Sequence, residues 1–281
     1  MTQTTISSGQ QDMTPKTNIF RRGSNLIAVA SGKGGVGKTW FSVTLAHALS
    51  RAGKKILLFD GDLGLANVDV QLGLMPKRDL NDVIRGRLGM DNVIMRYEEG
   101  EFDIIAGRSG QASLSALPSQ RLALLRDQLI DTARAYDYCI IDLGAGVDRT
   151  VRLLSASATR TLLVSTDEPT SLTDAYAFLK LGSVSGVSKN VSIVVNMAPN
   201  HRDGEKTYKT LLKASENFLR LNPPLAGIIR HDKKIRETIR HQIPLLVRSP
   251  NCDAAVDVEE IAKQVIKDMM QAQKTQQAQT S

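Results

Sequence analysis

The sequence predicts an α/β fold built on a doubly wound, mostly parallel sheet. Short runs of consecutive apolar residues alternate with stretches of helical periodicity, in a chain of 281 residues with 42% hydrophobic and 23% charged residues. Continuous apolar runs are typical of strands that are covered on both faces. Their alternation with helices indicates parallel strands joined by crossover helices in one large domain.

Seven apolar runs are predicted to be strands, at residues 26–30, 56–60, 102–106, 138–142, 162–166, 191–196 and 226–229. Helices are predicted between them, for example over residues 40–49 and around Leu122, Leu125 and Leu129. Ser171 and Asp174 have the spacing of a capping box, which predicts the start of a helix that holds residues 175–181.

The two ends of the chain differ in composition from the middle. Residues 1–24 are rich in Thr, Ser and Gln, which predicts a flexible leader, because such a segment buries too little apolar area to offset its ordering entropy. Residues 25–270 form the predicted domain and residues 271–281 a polar tail. No apolar run is long enough for a membrane span and the N-terminus lacks a signal-peptide core, so we expect a cytoplasmic protein.

A glycine-rich loop follows the first predicted strand. Residues 32–39 read Gly-Lys-Gly-Gly-Val-Gly-Lys-Thr and lead into a predicted helix, which is the context of a Walker A loop. Glycines let backbone N–H groups wrap a polyphosphate, and the helix N-terminus adds its positive end. Lys38 is predicted to bind the outer phosphates of ATP, and Thr39 to bind Mg²⁺. The predicted nucleotide site comprises Gly32, Lys33, Gly34, Gly35, Val36, Gly37, Lys38, Thr39 and Trp40.

Carboxylates end two further predicted strands. Asp60 and Asp62 follow the second strand, and Asp142 ends the run Tyr-Cys-Ile-Ile-Asp, which fits a Walker B strand. Strand ends of this kind face the ligand crevice of a parallel sheet. Because carboxylates repel a triphosphate unless a cation intervenes, we predict Thr39, Asp60 and Asp142 as the residues that hold magnesium.

Together these motifs resemble the MinD/ParA family of deviant Walker A ATPases, over about residues 25–270. Lys33 resembles the family's signature lysine, which implies an ATP-dependent homodimer in which Lys33 reaches the partner's nucleotide. Taken alone, Lys33 is also compatible with a loop lysine that binds the same phosphates. The segment 60–69 resembles the family's first switch, which implies that Asp62 orients the attacking water. The resemblance therefore implies a slow, regulatory ATP hydrolase with Lys33 and Asp62 as catalytic residues.

Two more residues are assigned to the nucleotide by the same resemblance. Asn196 ends a predicted strand at the position that reads adenine in the family, and an amide can pair with both a donor and an acceptor on a base edge. A turn residue after a strand is the alternative for Asn196. Arg230 stands where the family often has a proline that packs on the adenine, and we assign it to this site.

The most specific stretches are residues 62–69, Asp-Leu-Gly-Leu-Ala-Asn-Val-Asp, and residues 167–177, which begin Asp-Glu-Pro-Thr-Ser. Both look like the flagellar-number regulators of the MinD type, FlhG or FleN. This resemblance implies control of flagellar number or placement, with flagellar basal-body or regulatory proteins as partners. An FlhF-type GTPase is a further implied partner, although the leader has Asp12 and no match to the Asp-Gln-Ala…Leu-Arg element with which many members activate it.

Other classes of protein use the same scaffold. An iron–sulfur carrier needs a cysteine pair that bridges two subunits, and the contexts of Cys139 and Cys252 do not fit one. A ParA-like partition ATPase that binds nonspecific DNA stays open, because residues 201–250 contain 11 Lys and Arg against 5 Asp and Glu. A solvated surface is the simpler explanation of such charge. The cations that could share one helical face are Lys233, Lys234, Arg236 and Arg240.

An apolar stripe repeats at helical spacing near the C-terminus and comprises Val258, Ile261, Ala262, Val265, Ile266 and Met269. It predicts an amphipathic helix that either closes the flank of the sheet or makes peripheral contact with the inner face of the cell membrane. The polar face of this helix is slightly acidic and the stripe has no Trp, Phe or Leu. Both features favour the flank of the sheet, because interfacial helices generally need a basic face and bulky anchors.

Overall fold

The computed structural model describes residues 22–62, 67–107, 117–185 and 190–280. Eight strands form one sheet, and they are β1 (Leu26–Ser31), β2 (Ile56–Gly61), β3 (Ile94–Tyr97), β4 (Phe102–Ile105), β5 (Tyr138–Ala145), β6 (Arg160–Ser165), β7 (Val191–Ala198) and β8 (Leu225–Arg230). Their order is β3-β4-β2-β5-β1-β6-β7-β8. Every pair is parallel except β3 with β4, so the predicted fold class is confirmed.

Ten helices in the described part of the chain cover this sheet, and they are α1 (Lys38–Arg51), α2 (Val68–Leu72), α3 (Leu80–Ile84), α4 (Ser119–Ala133), α5 (Arg149–Ser157), α6 (Pro169–Ser185), α7 (His201–Leu219), α8 (Lys233–His241), α9 (Leu245–Arg248) and α10 (Asp253–Thr280). Two apolar clusters form the core, one on each face of the sheet. The first includes residues of α4, α5, α6 and α7. The second includes residues of α1 and α10. Both faces are therefore buried, as the continuous apolar runs predict.

The order of the strands explains where a ligand crevice forms. β1 lies between β5 and β6, and the chain extends from this centre in opposite directions along the sheet. Ligands bind at such a switch point, outside the carboxyl ends of the strands. In the register of β2 with β5, Asp60 lies directly opposite Asp142. The fold therefore brings two predicted site residues together at this edge.

Two local predictions differ from the structure. Strand β3 is absent from the sequence prediction because it is a short edge strand, includes the exposed Arg96 and lacks a continuous apolar run. Helix α6 begins at Pro169, two residues before the predicted cap, and proline is favoured in the first turn of a helix. The Ser171 hydroxyl instead accepts a hydrogen bond from the Thr166 backbone N–H.

The structure describes residues on either side of the predicted domain, residues 25–270. Most of the predicted leader, residues 1–21, lies outside the described residues, whereas the Gly23 backbone N–H donates to the Ser157 carbonyl. At the other end, α10 continues through Thr280, past the predicted start of the tail at residue 271. The stripe residues Val258, Val265 and Met269 are fully buried, so the stripe closes the flank of the sheet. None of the described helices is long and apolar enough to cross a membrane.

Candidate nucleotide site

The glycine-rich loop connects β1 to α1 at the switch point of the sheet. Gly37 is the N-cap of α1 and has a φ of 83°, a left-handed conformation that favours glycine. A Cβ atom at position 37 would also overlap the Asn196 amide, and one at position 32 would overlap the backbone of Asp174 in α6. Close packing against β7 and α6 therefore fixes both ends of the loop.

The loop borders an open cleft of about 540 Å³. Most of the predicted site lines this cleft, namely Lys33, Gly34, Gly35, Gly37, Lys38, Thr39, Trp40, Asp62 and Asn196. Residues that the sequence prediction missed also line it, including Asn67, Gln71, Met197 and Arg236. These residues come from the segment before α2, from α2 and from β7 and α8, so their contribution depends on the tertiary fold rather than on a local motif.

A buried ion pair joins the loop to the Walker B strand. Lys38 Nζ lies 2.9 Å from Asp142 Oδ1, and the two side chains are only 8% and 1% exposed. The Ser42 hydroxyl donates to the same oxygen over 2.9 Å. Asp142 Oδ2 is buried and has no hydrogen-bond partner among the described residues. A buried carboxylate oxygen without a partner is costly, so this atom has an unused capacity to accept a hydrogen bond, although Asp142 itself does not line the open cleft.

Asp60 lies beside this pair and is fully buried. Burial, followed by the negative charge of Asp142, raises the pKa of Asp60 to about 8, although Lys38 and the backbone N–H groups of Asp62 and Val68 oppose the shift. Burial and the neighbouring Asp142 charge therefore favour the protonated form of the Asp60 carboxyl. A divalent cation beside it would favour the ionised form.

Asp62 follows β2 and lines the cleft. A Cβ atom at position 144 would lie 3.6 Å from the Asp62 carboxyl carbon, so Asp62 lies beside the end of β5, two residues past Asp142. Residues 63–66 of the first switch lie outside the described residues. The structure thus places Asp62 in the cleft that the phosphate loop borders.

Lys33 has a different environment from that of Lys38. Its Nζ donates to Glu168 Oε2 over 2.7 Å and to Thr170 Oγ1 over 2.8 Å. Both acceptors lie at the start of α6, and the side chains of Lys33 and Glu168 are 37% and 61% exposed. Lys33 therefore forms a surface ion pair within its own chain.

Asn196 lies at the floor of the cleft and is buried. Its Nδ2 donates to the Val36 carbonyl over 2.8 Å, which fixes the orientation of the amide. Its Oδ1 is buried and has no partner among the described residues. This oxygen can accept a hydrogen bond from a ligand, whereas the amide nitrogen supports the loop.

Arg230 lies outside the lining of the cleft. Its guanidinium binds both carboxylate oxygens of Asp257, each over 2.9 Å, and also binds Asp253 over 2.7 Å. These three contacts hold the side chain against α10. The structure therefore shows Arg230 linking β8 to α10, and its assignment to the nucleotide stays a prediction.

The residues present fit a magnesium nucleotide. No group of three His, Cys, Asp or Glu side chains in the described residues could hold a metal on its own, and Mg²⁺ usually binds through one or two carboxylates together with phosphates and water. Thr39 and the unpartnered Asp142 Oδ2 suit this arrangement. Burial raises the pKa of Cys139 and raises that of Cys252 to about 11, so without a metal both thiols stay protonated at neutral pH.

Comparison with known proteins agrees with this geometry. Residues 27–245 match the family profile described as the CobQ/CobB/MinD/ParA nucleotide binding domain. The chain belongs to this family. The family membership predicted from the two loop lysines and the strand-ending aspartates is confirmed.

Relatives of this family member include regulators of flagella. The chain is 37% identical over 240 residues to the antiactivator FleN of Pseudomonas aeruginosa, with 85% of each chain covered. It is 30% identical over 253 residues to the flagellum site-determining protein YlxH of Helicobacter pylori, covering 88% of this chain and 84% of that one. Both names confirm the expected likeness to flagellar-number regulators.

Solved structures of the family share the fold. The septum site-determining protein MinD of Pyrococcus horikoshii, complexed with Mg-ADP, is 25% identical and has a TM-score of 0.68, with 86% of this chain and 95% of that chain covered. The cell division ATPase MinD of Pyrococcus furiosus gives a TM-score of 0.69 at 25% identity, covering 87% and 99%. The predicted MinD-like fold is thus confirmed.

Proposed function

We propose that the protein is a slow regulatory ATPase, which dimerises around Mg-ATP and controls flagellar number or placement. The observation that carries the proposal is the buried pair of Lys38 and Asp142 beside the phosphate loop, with Asp142 Oδ2 left without a partner among the described residues. Without a ligand, the Lys38 ammonium is neutralised by the Asp142 carboxylate. A bound polyphosphate would offer the same ammonium a competing negative charge. The names of the FleN and YlxH relatives support the flagellar role.

Nucleotide binding would exchange the partners of Lys38. The loop N–H groups and the N-terminus of α1 attract the phosphates, and Lys38 Nζ moves from Asp142 to their oxygens. Thr39, Asp60 and Asp142 are the residues that would hold Mg²⁺, which supplies positive charge to the outer phosphates. The raised pKa of Asp60 favours its protonated form without a cation, and a bound divalent ion would favour release of that proton.

Adenine recognition would rest on Asn196. One hydrogen of its Nδ2 is bound to the Val36 carbonyl, and its Oδ1 has no partner among the described residues. Oδ1 would therefore meet the base, because an oxygen accepts a hydrogen bond from the adenine amino group. Guanine has an acceptor at the corresponding position. The anchored amide therefore favours ATP over GTP.

Hydrolysis and dimerisation would use the two remaining residues. Asp62 lines the cleft and would orient the attacking water towards the outer phosphate. Lys33 would leave Glu168 and Thr170 and bind the nucleotide of a second copy. Two facing monomers would bury both nucleotides and complete both sites, which makes the dimer the state that partners recognise.

The partners would be flagellar basal-body or regulatory proteins, and an FlhF-type GTPase is a further candidate. The leader has no match to the element with which many members activate such a GTPase, and residues 1–21 lie outside the described residues. Membrane contact through α10 is not part of the proposal, because the stripe residues Val258, Val265 and Met269 are buried in the core.

Binding of nonspecific DNA is the second candidate activity. It is favoured by Lys233, Arg236 and Arg240 of α8, which are exposed and form no ion pair with a described residue. Phosphate contacts of this kind depend steeply on salt. Fluorescence anisotropy with duplex DNA at 50 and 200 mM KCl therefore tests this candidate, and equal affinity of the triple alanine variant for DNA would exclude α8 as the binding surface.

The proposed ATPase is tested by Asp62→Ala. This variant should bind Mg-ATP as tightly as the wild type, hydrolyse it at least about tenfold more slowly because water is no longer oriented, and accumulate as a dimer in light scattering. The trapped dimer then serves to capture flagellar partners in a pull-down. Wild-type turnover by Asp62→Ala would contradict the assignment of Asp62, and a wild type that neither binds nor hydrolyses Mg-ATP would overturn the function itself.

A further inference from the structure

Ser42 is a buried polar residue that the motifs leave without a role. It lies on α1, one turn beyond Lys38, and is completely buried. Its hydroxyl lies 2.9 Å from Asp142 Oδ1 and 3.1 Å from the Lys38 carbonyl. Both neighbours belong to the proposed magnesium nucleotide site, so this hydroxyl joins the helix of the phosphate loop to the Walker B strand.

A serine hydroxyl has one hydrogen and can fully donate to one acceptor at a time. The Lys38 carbonyl lies inside α1, where a backbone N–H four residues on can satisfy it. Asp142 Oδ1 belongs to a carboxylate, and hydrogen bonds to charged acceptors are the stronger ones. The carboxylate is therefore the preferred acceptor of the Ser42 hydrogen.

We infer that Ser42 is a positioning residue for the magnesium site. The inference rests on the proposed function, in which Lys38 leaves Asp142 for the phosphates. Once Lys38 has left, the Ser42 hydroxyl is the side-chain donor that still holds Asp142 Oδ1. It keeps the carboxylate in one orientation, so that Oδ2 stays available to a water molecule of the magnesium ion.

The same helix provides a matched control. The Thr44 hydroxyl donates to the Trp40 carbonyl over 2.8 Å, so it makes the same type of bond to the preceding turn and is also buried. Thr44 makes no hydrogen bond to Asp142. Thr44→Val therefore removes a buried hydroxyl from α1 without removing the bond to Asp142.

The experiment measures the Mg²⁺ dependence of ATP binding in the full chain. Wild type, Ser42→Ala, Ser42→Thr and Thr44→Val are titrated with Mg²⁺ at fixed ATP, with the ATP-induced shift in melting temperature and the ATPase rate as readouts. Loss of a group that orients a metal ligand typically costs 10- to 100-fold in metal affinity. The Mg²⁺ concentration at half-saturation should therefore rise about tenfold in Ser42→Ala.

The controls separate positioning from packing. Ser42→Thr keeps the donor and should stay within about threefold of the wild type, and Thr44→Val should have a wild-type Mg²⁺ dependence. Unchanged Mg²⁺ dependence in Ser42→Ala, or an equal change in Thr44→Val, would overturn the role of Ser42. If Ser42→Thr loses Mg²⁺ affinity as Ser42→Ala does, the donor is not what matters. Failure of the wild type to bind Mg-ATP would instead remove the proposed function.

Discussion

Two lysines of one loop form ion pairs of opposite character. The pair of Lys38 with Asp142 is almost completely buried, with side chains 8% and 1% exposed, whereas Lys33 and Glu168 are 37% and 61% exposed. An exposed pair contributes about 0–1 kcal/mol to stability. Removing one partner of a buried pair costs about 3–5 kcal/mol, because a buried charge is left behind.

The difference in burial assigns different tasks to the two lysines. Lys38 is held at the end of the sheet, where it is already positioned for the phosphates and loses little entropy on binding. Lys33 is held weakly at the surface by the start of α6, and a second molecule can draw it away at small cost. In the proposed function, the loop would therefore combine a fixed charge for affinity with a releasable charge for association.

The largest effect is expected when the buried lysine is removed. In Lys38→Met the phosphates lose a charge-assisted hydrogen bond worth about 1.5–3 kcal/mol, so ATP affinity should fall about 10- to 100-fold. The free protein should also melt at a lower temperature, because Asp142 loses its buried partner. Titration with a fluorescent ATP analogue and thermal melting without nucleotide measure the two effects. Wild-type affinity in Lys38→Met would show that the pair lies outside the nucleotide site.

Removal of the exposed lysine should abolish association but preserve binding. Lys33→Ala should bind Mg-ATP within about threefold of the wild type and melt at nearly the same temperature, because an exposed pair contributes little. Light scattering with Mg-ATP should detect monomers only. Dimers of Lys33→Ala that form at wild-type ATP concentrations would contradict the signature-lysine assignment and leave Lys33 as an ordinary loop cation.

Sequence patterns could identify the buried lysine and most of its site, because their chemistry is local. The loop glycines, Lys38 and Thr39 follow one another in the chain, and Asp142 ends a recognisable strand. The order of the sheet then follows from apolar runs that alternate with helices. These features depend on neighbours in the sequence, so the fold class and the phosphate site were predictable.

The rest of the site depends on contacts between distant segments. Lys33 meets Glu168 across 135 positions of the chain, and the Ser42 hydroxyl meets Asp142 across 100 positions. The pairing of Arg230 with Asp257 likewise depends on how α10 docks against β8. No local sequence pattern encodes contacts between such distant residues, which explains why the contacts of Arg230 with α10 and of Ser42 with Asp142 could not be predicted.

The fluorescence of Trp40 should report the proposed movement of Lys38 from Asp142 to the phosphates of ATP. Trp40 follows Thr39 directly, lines the cleft and is 4% exposed. Its indole N–H is buried and has no partner among the described residues, so its emission is sensitive to small movements of the loop. Saturating Mg-ATP should shift or change the intensity of the tryptophan emission in the wild type, but not in Lys38→Met at the same concentration. Tryptophan emission that does not change on addition of Mg-ATP would mean that Trp40 only packs in the core.

The smallest effect is expected when the exposed pair of Lys33 and Glu168 is weakened by a substitution of the glutamate. Glu168→Gln keeps the size of the side chain and removes the charge that holds Lys33. A surface pair is worth about 0.2–1 kcal/mol, so the Kd of the Mg-ATP dimer should decrease about 1.4- to fivefold. The difference from the wild type should fade at about 0.5 M KCl, because salt screens exposed charges.

A matched variant tests whether this effect belongs to the loop. Glu205 pairs with Lys209 over 3.4 Å on α7 and is similarly exposed, so Glu205→Gln removes an equivalent charge at a different place. Dimerisation of Glu205→Gln should equal that of the wild type, since its partner lysine takes no part in the site. A weaker dimer in Glu168→Gln, with Glu205→Gln unchanged, would reverse the interpretation. Glu168 would then act across the dimer interface, and the contact with Lys33 would support association rather than restrain it.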